Sequence, residues 1–269
     1  MIFALAALLG LCVGSFINVV VWRLPRAESL LWPGSHCPRC GKSLQWHQNI
    51  PVVSWLLLKG RCGFCHSSIS PSYPAVELLT AGFWVLLALP GVGRIGNPGI
   101  VLNLLAGGLL LTWLLPLALI DIKTLRLPES LCRWGVISGL VCTFILGYLQ
   151  GKGAELLLFH CLAAAIGLLA FEGVSATAEK LMGTPALGLG DAKLAALLGA
   201  WLGLKGLGVA VGLAVLLGAV FGLLGRLSGK LAARQPFPFG PFLAVGGLLS
   251  WLACNQIWGF VINPPFRIL

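Results

Sequence analysis

Residues 100–121 read IVLNLLAGGLLLTWLLPLALID: twenty-one positions without a charge, then Asp121. At ~1.5 Å per residue such a run crosses the ~30 Å hydrocarbon core of a bilayer. It is expected to be a membrane helix with a carboxylate at its end. An acid buried at a bilayer centre costs roughly 2.5–3.5 kcal/mol on insertion scales, and less near the interface, so it marks a functional site by default. The chain has one other aspartate, Asp191, in Gly188-Leu189-Gly190-Asp191-Ala192-Lys193, which opens an apolar run continuing to Leu204. Two such acids suggest a pair.

The rest of the chain extends this setting. Hydrophobic residues make up 58% and charged residues 10%, against about 25% charged in a soluble domain. Spans are expected over Met1–Val21, Pro74–Leu89, Ile100–Ile120, Ser130–Tyr148, Leu156–Gly173, Asp191–Leu204, Leu207–Leu224 and Phe242–Val261. The fold class is all-α, a polytopic membrane bundle of about eight transmembrane helices. The many glycines fit close helix packing in lipid. Between the spans lie breaker-rich turns at 91–99 and 150–153, a loop after Asp121, a second polar loop around Glu179, Lys180 and Pro185, and a turn at Lys205-Gly206. Arg23 and Arg26 follow the first apolar run and none precedes it, the reverse of a secretory signal. A retained first helix with its N-terminus outside is therefore expected.

The net charge of +10 would suggest nucleic acid in a soluble protein, but basic loops kept on the cytoplasmic side account for it here. With eight spans, one side carries 14 of the 18 Lys and Arg residues and the other carries Arg94, Lys152, Lys205 and Arg267. The asymmetry assigns the first side, with both aspartates, to the cytoplasm.

The chain is expected to divide into a first helix (1–22), an aqueous cytoplasmic domain (23–73) and the remaining helices (74–269). The aqueous domain holds Cys37-Pro38-Arg39-Cys40 and Cys62-Gly63-Phe64-Cys65. Each C-x2-C can form a knuckle offering two thiolates, and together they suit one tetrahedral Zn²⁺. The 21-residue spacing lies just beyond the usual zinc-ribbon range. Two disulfides or a redox pair are the alternatives, disfavoured by a reducing cytoplasm. A closed four-sulfur site has no open position, so the metal should shape the loop rather than react. His36, His47 and His66 are expected to be solvated or to lie outside the ligand set. Cys132, Cys142, Cys161 and Cys254 are expected to be small apolar residues of spans. Trp22, Trp32, Trp46 and Trp55 are expected at the membrane interface or in the small core of the domain.

Two carboxylates brought together cannot easily both ionise. The ionised member can take a proton from water while the protonated member polarises a carbonyl. The bland alternative is that each aspartate simply ends a helix. Because Asp191 opens a helix and Asp121 closes one, the macrodipole argument assigns Asp191 as base and Asp121 as acid.

At these residues the chain resembles the bacterial type 4 prepilin peptidases, bifunctional membrane enzymes of the G-x-G-D aspartic protease class. The resemblance runs nearly end to end. It is carried by Gly14-Ser15-Phe16-Ile17-Asn18 with Arg23-Leu24-Pro25, the paired C-x2-C, Asn49 to Ser54 and Tyr73-Pro74-Ala75-Val76-Glu77. Asp121 with Leu127-Pro128, Gly188 to Lys193 and Phe239-Gly240-Pro241-Phe242 complete it. It implies that Asp121 and Asp191 are catalytic, with Gly188, Gly190 and Lys193 positioning substrate. The implied reaction removes the basic leader of prepilin and pseudopilin precursors after a glycine at the cytoplasmic face. It further implies N-methylation of the new N-terminus with S-adenosylmethionine, in an inner-membrane enzyme serving type IV pili or type II secretion, and Zn²⁺ on Cys37, Cys40, Cys62 and Cys65. Gly60 and Arg61 are the implied cofactor-binding residues. Glu77, near the cytoplasmic end of the second span, is expected either to bind cofactor or the substrate amine or to be an interfacial acid at a helix start. The family's Gly-Lys stands here as Gly60-Arg61, and its acid after Leu-Pro is Glu129 rather than Asp. Anionic membrane lipid is the expected attractor of both enzyme and substrate. The alternatives are a presenilin-like protease, a peptidase without methyl transfer, and a non-enzymatic zinc-bearing scaffold or ion transporter.

Overall fold

Apolar runs separated by breakers become helices, and a computed structural model describes them over residues 2–89, 98–149, 151–182, 188–229 and 237–262. Of the expected turn at 91–99, residues 91–97 lie outside the described residues, as do Gln150, Pro185, Lys230, Arg234, Arg267 and the side chain of Cys254, while Pro98 and Gly99 are already helical. The helices are α1 (Ile2–Arg23), the short α2 (Val53–Leu57), α3 (Ser72–Ala88), α4 (Pro98–Thr124), α5 (Glu129–Tyr148), α6 (Gly153–Met182), α7 (Leu189–Leu227) and α8 (Gly240–Ile262). Among the described residues the β pairing is limited to two isolated bridges. Five helical stretches are long and apolar enough to cross a bilayer, and Ser72–Ala88 and Gly240–Ala253 are shorter apolar helices. The protein is a multi-pass membrane protein. Its contacts cluster into two units, Met1–Thr112 and Trp113–Leu269, with α4 running through the boundary.

In the first unit α1 and α3 pack antiparallel. A Cβ on Gly10 would stand 2.5 Å from Ala81 Cα, and one on Gly14 2.6 Å from Glu77 Cα. Gly10-x3-Gly14 is thus a small-residue stripe that lets two backbones touch, the usual solution where lipid offers no hydrophobic drive between helices. Farther along, the Asn18 side-chain amide donates to the Tyr73 carbonyl at 3.1 Å. The α4 face at Gly108 receives the Trp84 ring.

In the second unit the expected sixth and seventh helices form one element, α7, interrupted at Gly203 (φ 65°, ψ −178°) rather than at Lys205-Gly206. That conformation is open essentially only to glycine. The chain folds back there. A Cβ at Gly167 of α6 would meet both Ala195 O at 2.9 Å and Leu207 Cδ2 at 3.1 Å, and the Gly246-Gly247 pair of α8 touches both Ala210 and Leu198. Residues on either side of Gly203 therefore pack against the same neighbours. The Ala200 carbonyl, whose intrahelical partner would fall just past the break, is held by His160 Nδ1 at 2.9 Å and the Thr143 hydroxyl at 3.3 Å. Inside a membrane such a carbonyl must find a partner within the protein.

Two other boundaries moved. Helix α4 continues three residues past Asp121, to Thr124, and α6 continues past Gly173 to Met182. The polar segment Ser175 to Lys180 was expected to be loop, but Ala, Glu and Lys are good helix formers and extend the helix beyond its apolar run.

Candidate active site

Four helix ends meet at one end of the second unit. The first arm of α7 runs parallel to α8, since Leu198 touches Gly247 and the Trp201 and Trp251 rings lie 6.0 Å apart. It also runs parallel to α5, where Gly135 and Gly139 admit Leu197 and Trp201. Leu114 of α4 packs 3.3 Å from the Cβ position of Gly247 while Asp121 meets Gly240, so α4 runs antiparallel to α8. The C-terminus of α4 and the N-termini of α5, α7 and α8 thereby converge, bringing Asp121 and Asp191 to one place. The two carboxylates are near enough to interact electrostatically.

Asp121 is buried, at 5% exposure, and Asp191 is half-buried. Each carboxylate accepts a backbone hydrogen bond at a helix start: Asp121 Oδ2 from Gly240 N–H at 2.9 Å, and Asp191 Oδ2 from Gly188 N–H at 3.2 Å. Both therefore lie where a helix N-terminus favours an anion. The expected macrodipole difference between them is not present, because α8 supplies Asp121 with what α7 supplies Asp191. Gly240, within the Phe239-to-Phe242 motif, is defined by its contact: a Cβ there would stand 2.7 Å from Asp121 Oδ2.

The other residues expected at the site separate by role. Gly190 packs on the loop after α4, where its Cβ position lies 2.9 Å from Leu127 Cβ. Its missing side chain lets the Leu127-Pro128 turn seat against α7. Gly188 is exposed, and among the described residues Asp191 Oδ2 and Gly190 N lie nearest its Cβ position. Lys193, half-buried, pairs with the exposed Glu129 through Oε2 at 3.0 Å, so it ties α7 to α5. Cys132, one turn along α5 from Glu129, is buried beside this cluster.

The thiol cluster lies in the first unit. Its two knuckles repeat each other. Cys37 N–H donates to Lys42 O at 3.0 Å and Cys62 N–H to Ser67 O at 2.8 Å; the bridges His36↔Ser43 and Arg61↔Ser68 close them. The residue after each second cysteine is left-handed, Gly41 at φ 71° and His66 at φ 55°. All four sulfurs lie within 4.8 Å of one another, and Cys37 Sγ is 3.8 Å from Cys65 Sγ. A tetrahedral site with ~2.3 Å Zn–S bonds requires S···S separations of ~3.8 Å. No disulfide joins them, and among the described residues no histidine enters the cluster. Burial opposes ionisation of Cys37, but the Cys40 and Arg39 N–H groups outweigh it and hold the thiol at about 6. The Ser67 hydroxyl lowers Cys65. At Cys40 the Lys42 N–H favours the thiolate, yet burial and the neighbouring thiols push it up to about 11. Four thiolates need a cation to coexist, so the donor set fits a structural metal.

Beside the cluster is a cavity of about 480 Å³ whose lining includes Cys37, Cys62, Trp55, Tyr73, Arg23 and Glu77. Glu77 is buried, and its Oε2 accepts Val52 N–H at 2.7 Å. Gly60 and Arg61 are not in the lining. Gly60 (φ 67°) lies under the Trp55 ring, 3.0 Å from Cζ2 to its Cβ position, and Arg61 is exposed. Of the four tryptophans expected at the interface or core, Trp55 packs inward, Trp22 stacks under Arg26 at 3.8 Å, and Trp32 and Trp46 are exposed.

A membrane bundle that gathers two carboxylates at converging helix ends, in a chain that also carries a loop domain with a four-thiol cluster able to hold a metal ion, is the architecture of a membrane-embedded aspartyl enzyme. The comparisons with known proteins give the family. Residues 8–90 match the bacterial peptidase A24 N-terminal domain, and residues 108–223 match the type IV leader peptidase family. The chain is 36% identical over 281 aligned positions to a prepilin leader peptidase/N-methyltransferase of Pectobacterium carotovorum subsp. carotovorum, covering 93% of this chain and 92% of that protein. It is 35% identical over 291 positions to the protein of the same name from Neisseria gonorrhoeae, covering 98% and 96%. To that of Myxococcus xanthus it is 41% identical over 194 positions, covering 72% and 54%. No solved structure matches the chain significantly. The chain belongs to the prepilin leader peptidase/N-methyltransferase family.

Proposed function

We propose that this protein removes the leader of prepilin-type precursors with Asp121 and Asp191 and methylates the amine so exposed. The observation that carries the reading is the meeting of the chain's only two aspartates at the ends of α4 and α7. In the hydrolytic step the pair holds one proton and a water. The ionised carboxylate takes a proton as the water oxygen bonds to the scissile carbonyl carbon, and the protonated carboxyl donates to the carbonyl oxygen. Collapse of the tetrahedral adduct breaks the C–N bond, and the leaving amine takes up a proton from the pair. The Gly240 and Gly188 N–H groups keep each carboxylate aimed, while Leu127 on Gly190 and the Glu129–Lys193 pair set the loop beside them.

Zn²⁺ would be held by Cys37, Cys40, Cys62 and Cys65, and its part is structural, since four sulfurs complete the tetrahedron. S-adenosylmethionine, when bound, supplies an electrophilic methyl group to the new N-terminal amine. The asymmetry of basic residues supports a cytoplasmic position for the aspartates and the thiol domain at the inner membrane, where anionic lipid would concentrate basic leaders. Pilins and pseudopilins, of pilus or secretion systems, are the substrate class.

Mass spectrometry of a prepilin incubated with the detergent-purified protein, S-adenosylmethionine and zinc tests the reading. The expected product lacks the leader and carries one added methyl mass, and Asp121→Asn and Asp191→Asn each leave the precursor whole. Cleavage that survives either substitution would refute the aspartyl assignment. A cleaved, unmethylated product would refute the methyl-transfer half.

A further inference from the structure

The cavity beside the thiol cluster contains two buried charges of opposite sign, neither of which has a counter-ion among the described residues. Glu77, 7% exposed, is held by the Val52 N–H at 2.7 Å and by the Ser15 hydroxyl. Arg23, 5% exposed, donates to the Ser29 and Gly34 carbonyls at 3.0 Å each, using two of its five N–H groups. Buried charges are ordinarily paired. Here an anion and a cation line one cavity without pairing to each other, so a ligand carrying both signs would satisfy each in turn.

The walls add a second constraint. Trp22, Trp55 and Tyr73 line the same space, and aromatic faces suit both a planar heterocycle and a positively charged onium centre. A volume of about 480 Å³ falls within the range of small-molecule and cofactor sites. A zwitterion with an additional cationic centre and a planar ring meets all of these demands at once.

We propose that this cavity is the methyl-donor site, with Glu77 facing the cationic sulfonium and ammonium groups of S-adenosylmethionine and Arg23 its carboxylate. The proposal rests on the methyl-transfer reading above and gives it a location within residues 15–77. It also gives the metal a reason to be there. Cys37 and Cys62 belong to the cavity wall, so the two knuckles that hold the cation also hold the shape of the site. Gly60 acts at one remove: lacking a side chain, it lets the Trp55 ring lie flat over it, and that ring, anchored by Nε1–H to the Ile69 carbonyl at 3.1 Å, faces the cavity. Arg61 stands outside.

The test is binding of S-adenosylmethionine to the full-length, zinc-loaded protein in detergent, measured by calorimetry without a prepilin. Glu77→Gln keeps an acceptor for Val52 N–H and removes the charge, and it is expected to weaken binding about tenfold or more. Arg61→Ala is expected to change affinity less than twofold. If Arg61→Ala abolishes binding while Glu77→Gln does not, the cavity is not the site. Ultraviolet irradiation of the bound, methyl-labelled donor, followed by peptide mapping, decides the matter even if Glu77→Gln fails to fold. Label on peptides containing Trp22, Trp55 or Tyr73 supports the proposal, and label confined to residues 113–269 overturns it while leaving methyl transfer standing. A wild-type protein that cleaves prepilin but binds no donor at millimolar concentration would overturn both.

Discussion

Gly240→Ala tests the placement of Asp121 at one atom. The new Cβ would stand 2.7 Å from Asp121 Oδ2, 3.2 Å from Cγ and 3.4 Å from Cβ. To regain an ordinary contact near 3.4 Å the carboxylate oxygen must retreat by about 0.7 Å. Asp121 is only 5% exposed, so it has little room to move without losing the aim set by the Gly240 N–H. Misplacement of a reacting group by ~1 Å can cost ~10²-fold in rate, and a retreat of this size is expected to lower kcat for leader cleavage by roughly 10- to 100-fold. Gly240 is the first residue of α8, so the gain alanine brings inside a helix does not apply there, and the overlap with a buried carboxylate is expected to lower stability modestly as well. The assay is single-turnover cleavage of a prepilin in detergent, with the melting temperature of the same sample recorded in parallel. Cleavage within about threefold of wild type, at unchanged Tm, would refute the claim that Gly240 sets the position of Asp121.

Cys62→Ser removes one ligand from the wall of the thiol cluster and is expected to abolish stoichiometric zinc, read by elemental analysis, and to lower the melting temperature; full metal content would refute four-thiolate ligation. Gly203→Ala places a side chain at φ 65°, ψ −178°, with its Cβ 3.2 Å from His160 Nε2, and should destabilise the second unit by about 1–3 kcal/mol, seen as a lower denaturation midpoint in detergent. Lys193→Ala loses an ion pair whose side chains are 41% and 69% exposed, so its coupling to Glu129 in a double-mutant cycle should be below about 1 kcal/mol; a coupling of several kcal/mol would mean that the pair is shielded from solvent in the working enzyme.

Helix existence could be read from the sequence because an apolar run long enough for a bilayer has few other fates, and a helix stands at every expected span, two of them merged in α7. Boundaries were less legible. Asp121 was expected to end its helix, yet α4 runs to Thr124, because the residues that follow need no apolar surroundings to remain helical. The thiol cluster was also legible, since each knuckle is built within a few residues and the spacing sets it locally. Glu77 could be named from the sequence but not placed. Only the folding of 24–71 back over the end of α3 puts it beside Val52 and into a cavity.

What the sequence by itself determined, then, is everything governed by neighbours along the chain: membrane-length helices, two cysteine knuckles, and two acids at the edges of apolar runs. What only the tertiary structure decided is which distant groups those elements bring together. Gly240 donates to Asp121 across 119 positions, Lys193 reaches Glu129 across 64, and the break between the two expected spans falls at Gly203 rather than at Lys205-Gly206. Such contacts depend on helix direction and on a few tenths of an ångström at glycine contacts. Neither has a signature in composition or periodicity, because close packing is a property of surfaces that meet and not of the segments that carry them.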